Sequence, residues 1–355
     1  MMGVALFRLP YSNECTMVSG KVLELPSCTA LTGYAGFVIA PFAPSAESSV
    51  LVIRPDRVEQ FAIEADFSGG SSISNISSIP SLSSLSSISR LSEISCQDSR
   101  ENYHIDFHNF HVHLTNGDFQ KLVLSRSIEI EKTEDVSPLE LFLRACGRYP
   151  RVFVSLAYTP QSGLWLTATP EILLSGTNHE WHTMALAGTM PFSEKVSWGD
   201  KNIQEQRYVA TYITRQLEQF TDDFREEGPY TTRAGHLAHL RSDFHFSLSD
   251  HAHVGELLHA LHPTPAVCGL PKQEAFRFIQ QYEHDQRSYY SGFLGPLFVN
   301  GQTNLFVTLR CMQIFENGYR LYAGGGLLKD SVEELEWQET ETKLDTMRNL
   351  FLKTD

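Results

Sequence analysis

The sequence has no Cys-x-x-Cys pair, no apolar run of membrane-spanning length, and fewer basic than acidic residues. Its six cysteines, Cys15, Cys28, Cys96, Cys146, Cys268 and Cys311, are scattered. That spacing excludes a thiolate zinc ribbon and implies a reduced interior without a disulfide framework. A helix crossing a bilayer needs about 20 apolar residues in succession, and none are found. The opening MMGVALFRLPYSNECT lacks a charged start and a long apolar run, so the expectation is a cytoplasmic protein without a signal peptide. The 28 Lys and Arg against 42 Asp and Glu give a formal net charge of −14. This balance argues against a general nucleic-acid binder, which neutralises phosphates with basic patches. It also leaves an anionic ligand dependent on local cations. No repeat recurs at any period.

What is present is a soluble globular composition, 42% hydrophobic and 20% charged, in a chain of 355 residues that can bury a large core. Residues 1–66 suggest short strands and turns, such as 36–39 and 50–53. Serine fills roughly every second position of 68–95, which disfavours a packed core, so this stretch is expected to be a mobile surface insertion. Residues 1–100 are taken as strands plus that insertion within the same fold, and 101–355 as its main body. His104, His108, His111 and His113 fall in a predicted helix over 103–114. No cysteine or ordered carboxylate completes a zinc set there, so solvated or core-satisfied histidines are the simpler reading. The same reading applies to His236, His239, His245, His251 and His253.

Alternation predicts a strand over 121–130, with Lys121, Val123, Ser125 and Ser127 on one side. Further strands are expected over 151–158, 164–168, 172–174 and 182–186. An amphipathic helix over 200–220 carries Tyr208, Val209, Tyr212, Ile213, Leu217 and Phe220 as its apolar stripe. Glu205 belongs to that inward face, and an inward carboxylate needs a partner. Helices over 254–261 and 272–282 follow. Residues 292–324 suggest a three-stranded meander, because Asn300-Gly301 and Asn317-Gly318 are type I′ hairpin signals. Arg310 falls mid-strand there, facing either a structural carboxylate or an anionic ligand. Many antiparallel strands with several long helices suggest an α+β architecture.

Residues 319–347 concentrate the chemistry. The expected strand breaks at Gly324, Gly325 and Gly326 and restarts as a helix near Ser331, where Ser331 and Glu334 have capping-box spacing. Glu336, Glu339 and Lys343 lie on one face of that helix. Leu335, Glu339, Lys343 and Met347 follow at intervals of four, which makes the face partly apolar and inward. Carboxylates and an ammonium beside bare glycine backbone could hold a metal ion and an anion. The same spacing also describes a solvated face of Glu–Lys pairs. GGG followed by LLKD is not the GxGxxG pattern of a nucleotide-binding turn.

Ten short motifs run in order from Lys121 onward: KLVLSR (121–126), TPEILL (169–174), LAGT (186–189), KNIQEQ (201–206), HLRS (239–242), HPTPAVCGLP (262–271), YYSGFLGP (289–296), TLRCMQI (308–314), AGGGL (323–327) and ELEWQETETK (334–343). Together they resemble the chorismate-utilising enzymes: isochorismate, salicylate, anthranilate and aminodeoxychorismate synthases. The resemblance implies a single domain with a large, mostly antiparallel two-sheet core and helices packed outside. It implies that Glu205 and Glu339 are Mg²⁺ ligands, supported by Glu336, and that the ion holds the ring carboxylate of chorismate. Thr189, Gly324, Gly326 and Lys343 would surround that carboxylate. Tyr290 and Arg310 would hold the enolpyruvyl carboxylate. His239, which matches the HLxS histidine, would lie near the ring.

Two positions divide the family. Branches that add water carry a lysine in the KLVLSR-type motif, here Lys121. Aminodeoxychorismate synthases place a nucleophilic lysine where this chain has Ala187. The resemblance therefore implies an isochorismate synthase serving menaquinone or siderophore biosynthesis, with Lys121 as base and Glu171 as an acid of raised pKa. Salicylate synthase, which adds pyruvate elimination, is the alternative. A non-catalytic chorismate-binding protein is a reading from another class. A monomer acting on chorismate, without nucleic-acid or membrane partners, is expected. Departures from the family pattern are Asn202, Gln206, the run 284–288 and Gly325.

Overall fold

In the computed structural model, residues 1–65, 71–73, 99–133, 136–177, 179–192, 196–234, 237–248 and 253–351 are described. All of the serine-rich stretch except 71–73, together with Cys96, His236 and His251, lies outside them. The described strands are β1 (Met2–Arg8), β2 (Glu14–Leu25), β3 (Gly36–Ala40), β4 (Val50–Ala65), β5 (Ser71–Ile73), β6 (Lys121–Glu131), β7 (Phe153–Thr159), β8 (Gly163–Thr169), β9 (Ile172–Thr177), β10 (Glu180–Pro191), β11 (Phe224–Ala234), β12 (Leu237–Ser247), β13 (Gly269–Leu270), β14 (Phe293–Leu297), β15 (Gln302–Val307), β16 (Cys311–Ile314) and β17 (Gly318–Leu327). The described helices are α1 (Ser99–Asn116), α2 (Pro138–Arg148), α3 (Asp200–Leu217), α4 (Val254–Leu261), α5 (Lys272–Tyr282) and α6 (Glu333–Arg348).

Every pairing among the described strands is antiparallel; apart from β5, which pairs with the end of β4, they form two runs that share β4. One runs β4–β2–β1–β7–β8–β16–β17–β6–β13. The other runs β4–β3–β14–β15–β9–β10–β12–β11. The N-terminal strands are therefore built into both runs. Aromatic side chains from both runs meet between them, with Phe153 of β7 stacked on Phe306 of β15 at 4.2 Å; Trp165 and Tyr322, both from the first run, stack at 5.4 Å in the same cluster. Burying such rings supplies most of the drive for two sheets to face each other. The outer faces are covered by helices. Leu141 and Phe142 of α2 pack with Leu344 and Met347 of α6 on the first run, while Val209, Ile213 and Leu217 of α3 pack on the second. Phe107 and Phe110 of α1 and Phe278 of α5 cover the end where β6 lies. The α+β, two-sheet expectation thus holds.

Several local expectations fail for identifiable reasons. The predicted meander is two separate hairpins, because β15 pairs with β14 and β9 while β16 pairs with β17 and β8. Arg310 is not mid-strand. It lies in the crossing between the hairpins with φ +45°, a left-handed backbone uncommon for a non-glycine residue. β17 does not break at its glycines but runs through them, pairing Gly324 with Ser125 and Gly326 with Val123. No capping box forms: Val332 occupies the N-cap without a side-chain hydrogen bond, and Ser331 Oγ instead accepts from Leu328 N at 3.0 Å. Leu335 faces solvent, and the inward face of α6 is Glu336, Thr340, Lys343, Leu344 and Met347.

Candidate active site

Three constraints bring the polar residues together. Continuous pairing of β6 with β17 sets Lys121 and the glycines on adjacent strands. At Gly326 a Cβ would fall 2.1 Å from Glu205 Oε1 and 2.9 Å from Lys121 Cε, so only glycine leaves room for the carboxylate of α3. At Gly324 a Cβ would lie 2.8 Å from the Tyr290 hydroxyl. Gly325 faces the other way, and its Cβ would meet nothing nearer than Glu336 Oε2 at 3.6 Å. The second constraint is the crossing at 308–310, where Ala168 N donates to Arg310 O and Val307 N donates to Glu171 O, both at 2.9 Å. Those bonds hold the guanidinium-bearing and carboxyl-bearing segments side by side. The third is a bulge in β10 between Ala187 and Met190, opposite β12, where Gly188 has φ +68°. A bulge re-aims its neighbours: His239 Nδ1 donates to Gly188 O at 3.0 Å, with Thr189 Oγ1 at 3.3 Å.

These elements surround a cleft of about 540 Å³, open mouth included, walled by Glu171, Thr189, Glu205, His239, Tyr290, Arg310, Gly324, Gly326, Glu339 and Lys343. Lys121 and Glu336 stand just behind the wall. Lys121 is fully buried with Nζ 2.9 Å from Glu205 Oε1, an ion pair rather than an aligned hydrogen bond. Glu336 pairs with Lys201, and Lys343 reaches Glu339 Oε1 at 2.5 Å and Gly324 O at 2.7 Å. Sequence reasoning missed Lys201. It sits four residues before Glu205 in the KNIQEQ segment, one helical turn away on the same side, and that spacing was the available signal. Pro170, Leu186, Ala266, Val267 and Leu309, which lie inside the motifs but were given no role, form an apolar wall with Ala187.

The protonation states diverge. Burial pushes the Glu171 carboxyl up to about 8, against the opposing pull of Lys121 and Arg310, and its Oε1 has no partner. Burial alone would also raise Glu205, but Lys121, Lys201 and Lys343 reverse the sign and hold it below the usual range. Burial raises Glu336, opposed by Lys201. His239 is driven down to about 3 by burial and the nearby Arg310 charge, so it stays neutral. With Nδ1–H given to Gly188, its buried and unpartnered Nε2 can accept a hydrogen bond. The Arg310 guanidinium is nine-tenths buried and claimed by no side chain among the described residues, which calls for an anion.

As placed, the carboxylates of Glu205, Glu336 and Glu339 do not close on one another as a ready set of three. Like charges stand apart and each takes a lysine. The donor set still fits a hard divalent cation, which takes carboxylate oxygens and keeps waters. Two of the carboxylates line one cleft, and the bare backbone of Gly326 lets the Glu205 carboxylate in where a Cβ would stand. The family departures are structural here. Gln206 Nε2 ties α3 to Ala185 O at 3.1 Å, and Asn202 abuts Gly188. In the run after α5, Glu283 accepts from Ser125 N at 2.7 Å and Asp285 from Ser127 N, which pins β6, while His284 Nδ1 meets Asp106 of α1 at 2.5 Å.

A cleft that combines a neutral carboxyl, a lysine beside a carboxylate and an unclaimed guanidinium is built for acid–base chemistry on a small polyanion. The chain belongs to the chorismate-binding enzyme family, whose profile matches residues 71–352. It is 31% identical over 253 residues to the isochorismate synthase DhbC of Bacillus subtilis, covering 66% of this chain and 63% of that protein. The chain thus spans under two thirds of the length of that relative. Its fold is that of MenF, the menaquinone-specific isochorismate synthase from Escherichia coli, with TM-score 0.79 at 22% identity over 99% of this chain and 89% of that one. The anthranilate synthase component I of Streptococcus pneumoniae shares the fold with TM-score 0.70 at 17% identity, covering 98% of this chain and 92% of that one. Among the described residues no helix is long and apolar enough to cross a membrane.

Proposed function

We propose that this chain is an isochorismate synthase: it adds water at C2 of chorismate and expels the C4 hydroxyl as the ring double bonds shift. The observation that carries the reading is Glu171, fully buried, unpartnered at Oε1 and held protonated to about pH 8, on the same cleft as Arg310 and the Lys121–Glu205 pair. A carboxyl that keeps its proton at neutral pH can donate it to a departing hydroxide. Lys121, as the base, takes a proton from the attacking water; Glu171 gives one to the leaving oxygen, so the net change is isomerisation. Arg310 and Tyr290 bind the enolpyruvyl carboxylate, and neutral His239 accepts from a ring hydroxyl through Nε2. Lys343, Thr189 and the backbone at Gly324 and Gly326 enclose the ring carboxylate. Glu205 and Glu339, with Glu336 behind them, would hold Mg²⁺, which supplies positive charge against that carboxylate. Ala187 leaves no lysine nucleophile at its position and Lys121 is present in the KLVLSR motif, which together support water as the nucleophile. Lys121→Ala should abolish turnover while chorismate binding, followed by calorimetry, persists. Full turnover in that variant would remove the base assignment, and pyruvate with salicylate fluorescence from the wild type would move the reading to salicylate synthase.

A further inference from the structure

Outside the cleft, the helix that supplies its carboxylates meets α1 through a second group of ligand atoms. His104 and His108 stand one turn apart on α1, and Glu333 opens α6. His104 Nδ1 lies 2.9 Å and His108 Nδ1 3.8 Å from the same oxygen, Glu333 Oε2. One ligand atom from each of the three falls within 4.8 Å of the others. Metal–ligand bonds of about 2.0–2.1 Å place neighbouring ligand atoms about 3.0–3.4 Å apart, and the two measured separations bracket that spacing. We propose that His104, His108 and Glu333 bind a divalent transition ion of the zinc, nickel or copper type, at a site separate from the catalytic cleft.

The chemistry selects the ion. Two imidazoles and one carboxylate suit borderline ions, whereas Mg²⁺ seeks oxygen ligands. The His104 and His108 side chains are 56% and 61% exposed, so an ion reaches them from solvent and keeps water on its remaining positions. Arg100 Nη2, 3.3 Å from Glu333 Oε1, has a second anchor on Glu334 Oε2 at 2.7 Å and does not need Oε2 of Glu333. Coordination replaces the contact of His108 Nδ1 with His104 O at 3.0 Å. A bound ion ties α1 to the first turn of α6, one turn ahead of Glu336. The proposal is independent of the reaction assigned above.

Cobalt(II) titrated into the tag-free full chain, with excess Mg²⁺ present, gives a direct readout in its visible d–d absorption. One Co²⁺ per chain is expected, together with a Zn²⁺-dependent rise in melting temperature that Mg²⁺ does not produce. His104→Gln, His108→Gln and Glu333→Gln should each weaken Co²⁺ binding at least about tenfold and abolish the Zn²⁺-dependent rise. Their melting temperatures in EDTA should match the wild type. Co²⁺ binding that survives these substitutions, that Mg²⁺ displaces, or that is undetectable overturns the proposal.

Discussion

Replacing Glu171 with Gln tests the electrostatic core of the site without presupposing any substrate. In the unfolded chain this carboxyl ionises near its ordinary value of 4.5, but in the fold it holds its proton to about 8. Between those values the native state binds the extra proton, so wild-type stability falls as pH rises, and the fall stops once the native carboxyl ionises too. At about 1.4 kcal/mol per pH unit the whole window amounts to at most about 5 kcal/mol. Glutamine fills the same space and does not titrate. The variant should therefore gain on the wild type by about 1.4 kcal/mol for each unit between about pH 5 and 8, then run parallel above. Urea unfolding in EDTA across that range measures the difference, and any constant offset from lost packing leaves its slope intact. A difference flat with pH would refute the buried, protonated carboxyl and the proton-donor role built on it.

Other perturbations separate geometry from charge. Gly326→Ala forces a Cβ to 2.1 Å from Glu205 Oε1, whereas Gly325→Ala meets its nearest atom at 3.6 Å. The first should lower kcat/KM for chorismate by at least about 100-fold, and the second should leave it nearly unchanged. Arg310→Ala removes a cation that no described residue claims, so chorismate binding should weaken by about 10- to 100-fold, as loss of a charged hydrogen bond implies, while unfolding changes little. Phe153→Ala breaks the 4.2 Å stack with Phe306 between the two runs and should lower unfolding stability by about 3–5 kcal/mol in denaturant titration.

Local signals carried part of this structure. Helical periodicity marked α4 and α5, and Asn-Gly pairs marked both hairpins, with Asn300 and Gly301 each at positive φ as a type I′ turn requires. Long-range pairing was not legible. Nothing in 50–65 announces one strand that joins both runs, and nothing around 308–310 announces a crossing that turns Arg310 left-handed. The glycines looked like a strand break because glycine weakens strands; in fact, at Gly324 and Gly326, neighbouring side chains occupy the space of a Cβ. The motifs located nearly every cleft residue but not how the carboxylates divide among Lys121, Lys201 and Lys343. Glu333 was overlooked as a partner of the α1 histidines because it lies 229 residues from His104 in the chain.

The central claim is water addition coupled to hydroxyl loss, and the fate of one oxygen atom tests it most directly. Purified protein given chorismate and Mg²⁺ in ¹⁸O-labelled water should yield isochorismate that carries one ¹⁸O, on the new ring hydroxyl, by mass spectrometry and NMR. Isochorismate without label, or chorismate left unchanged, would contradict the account.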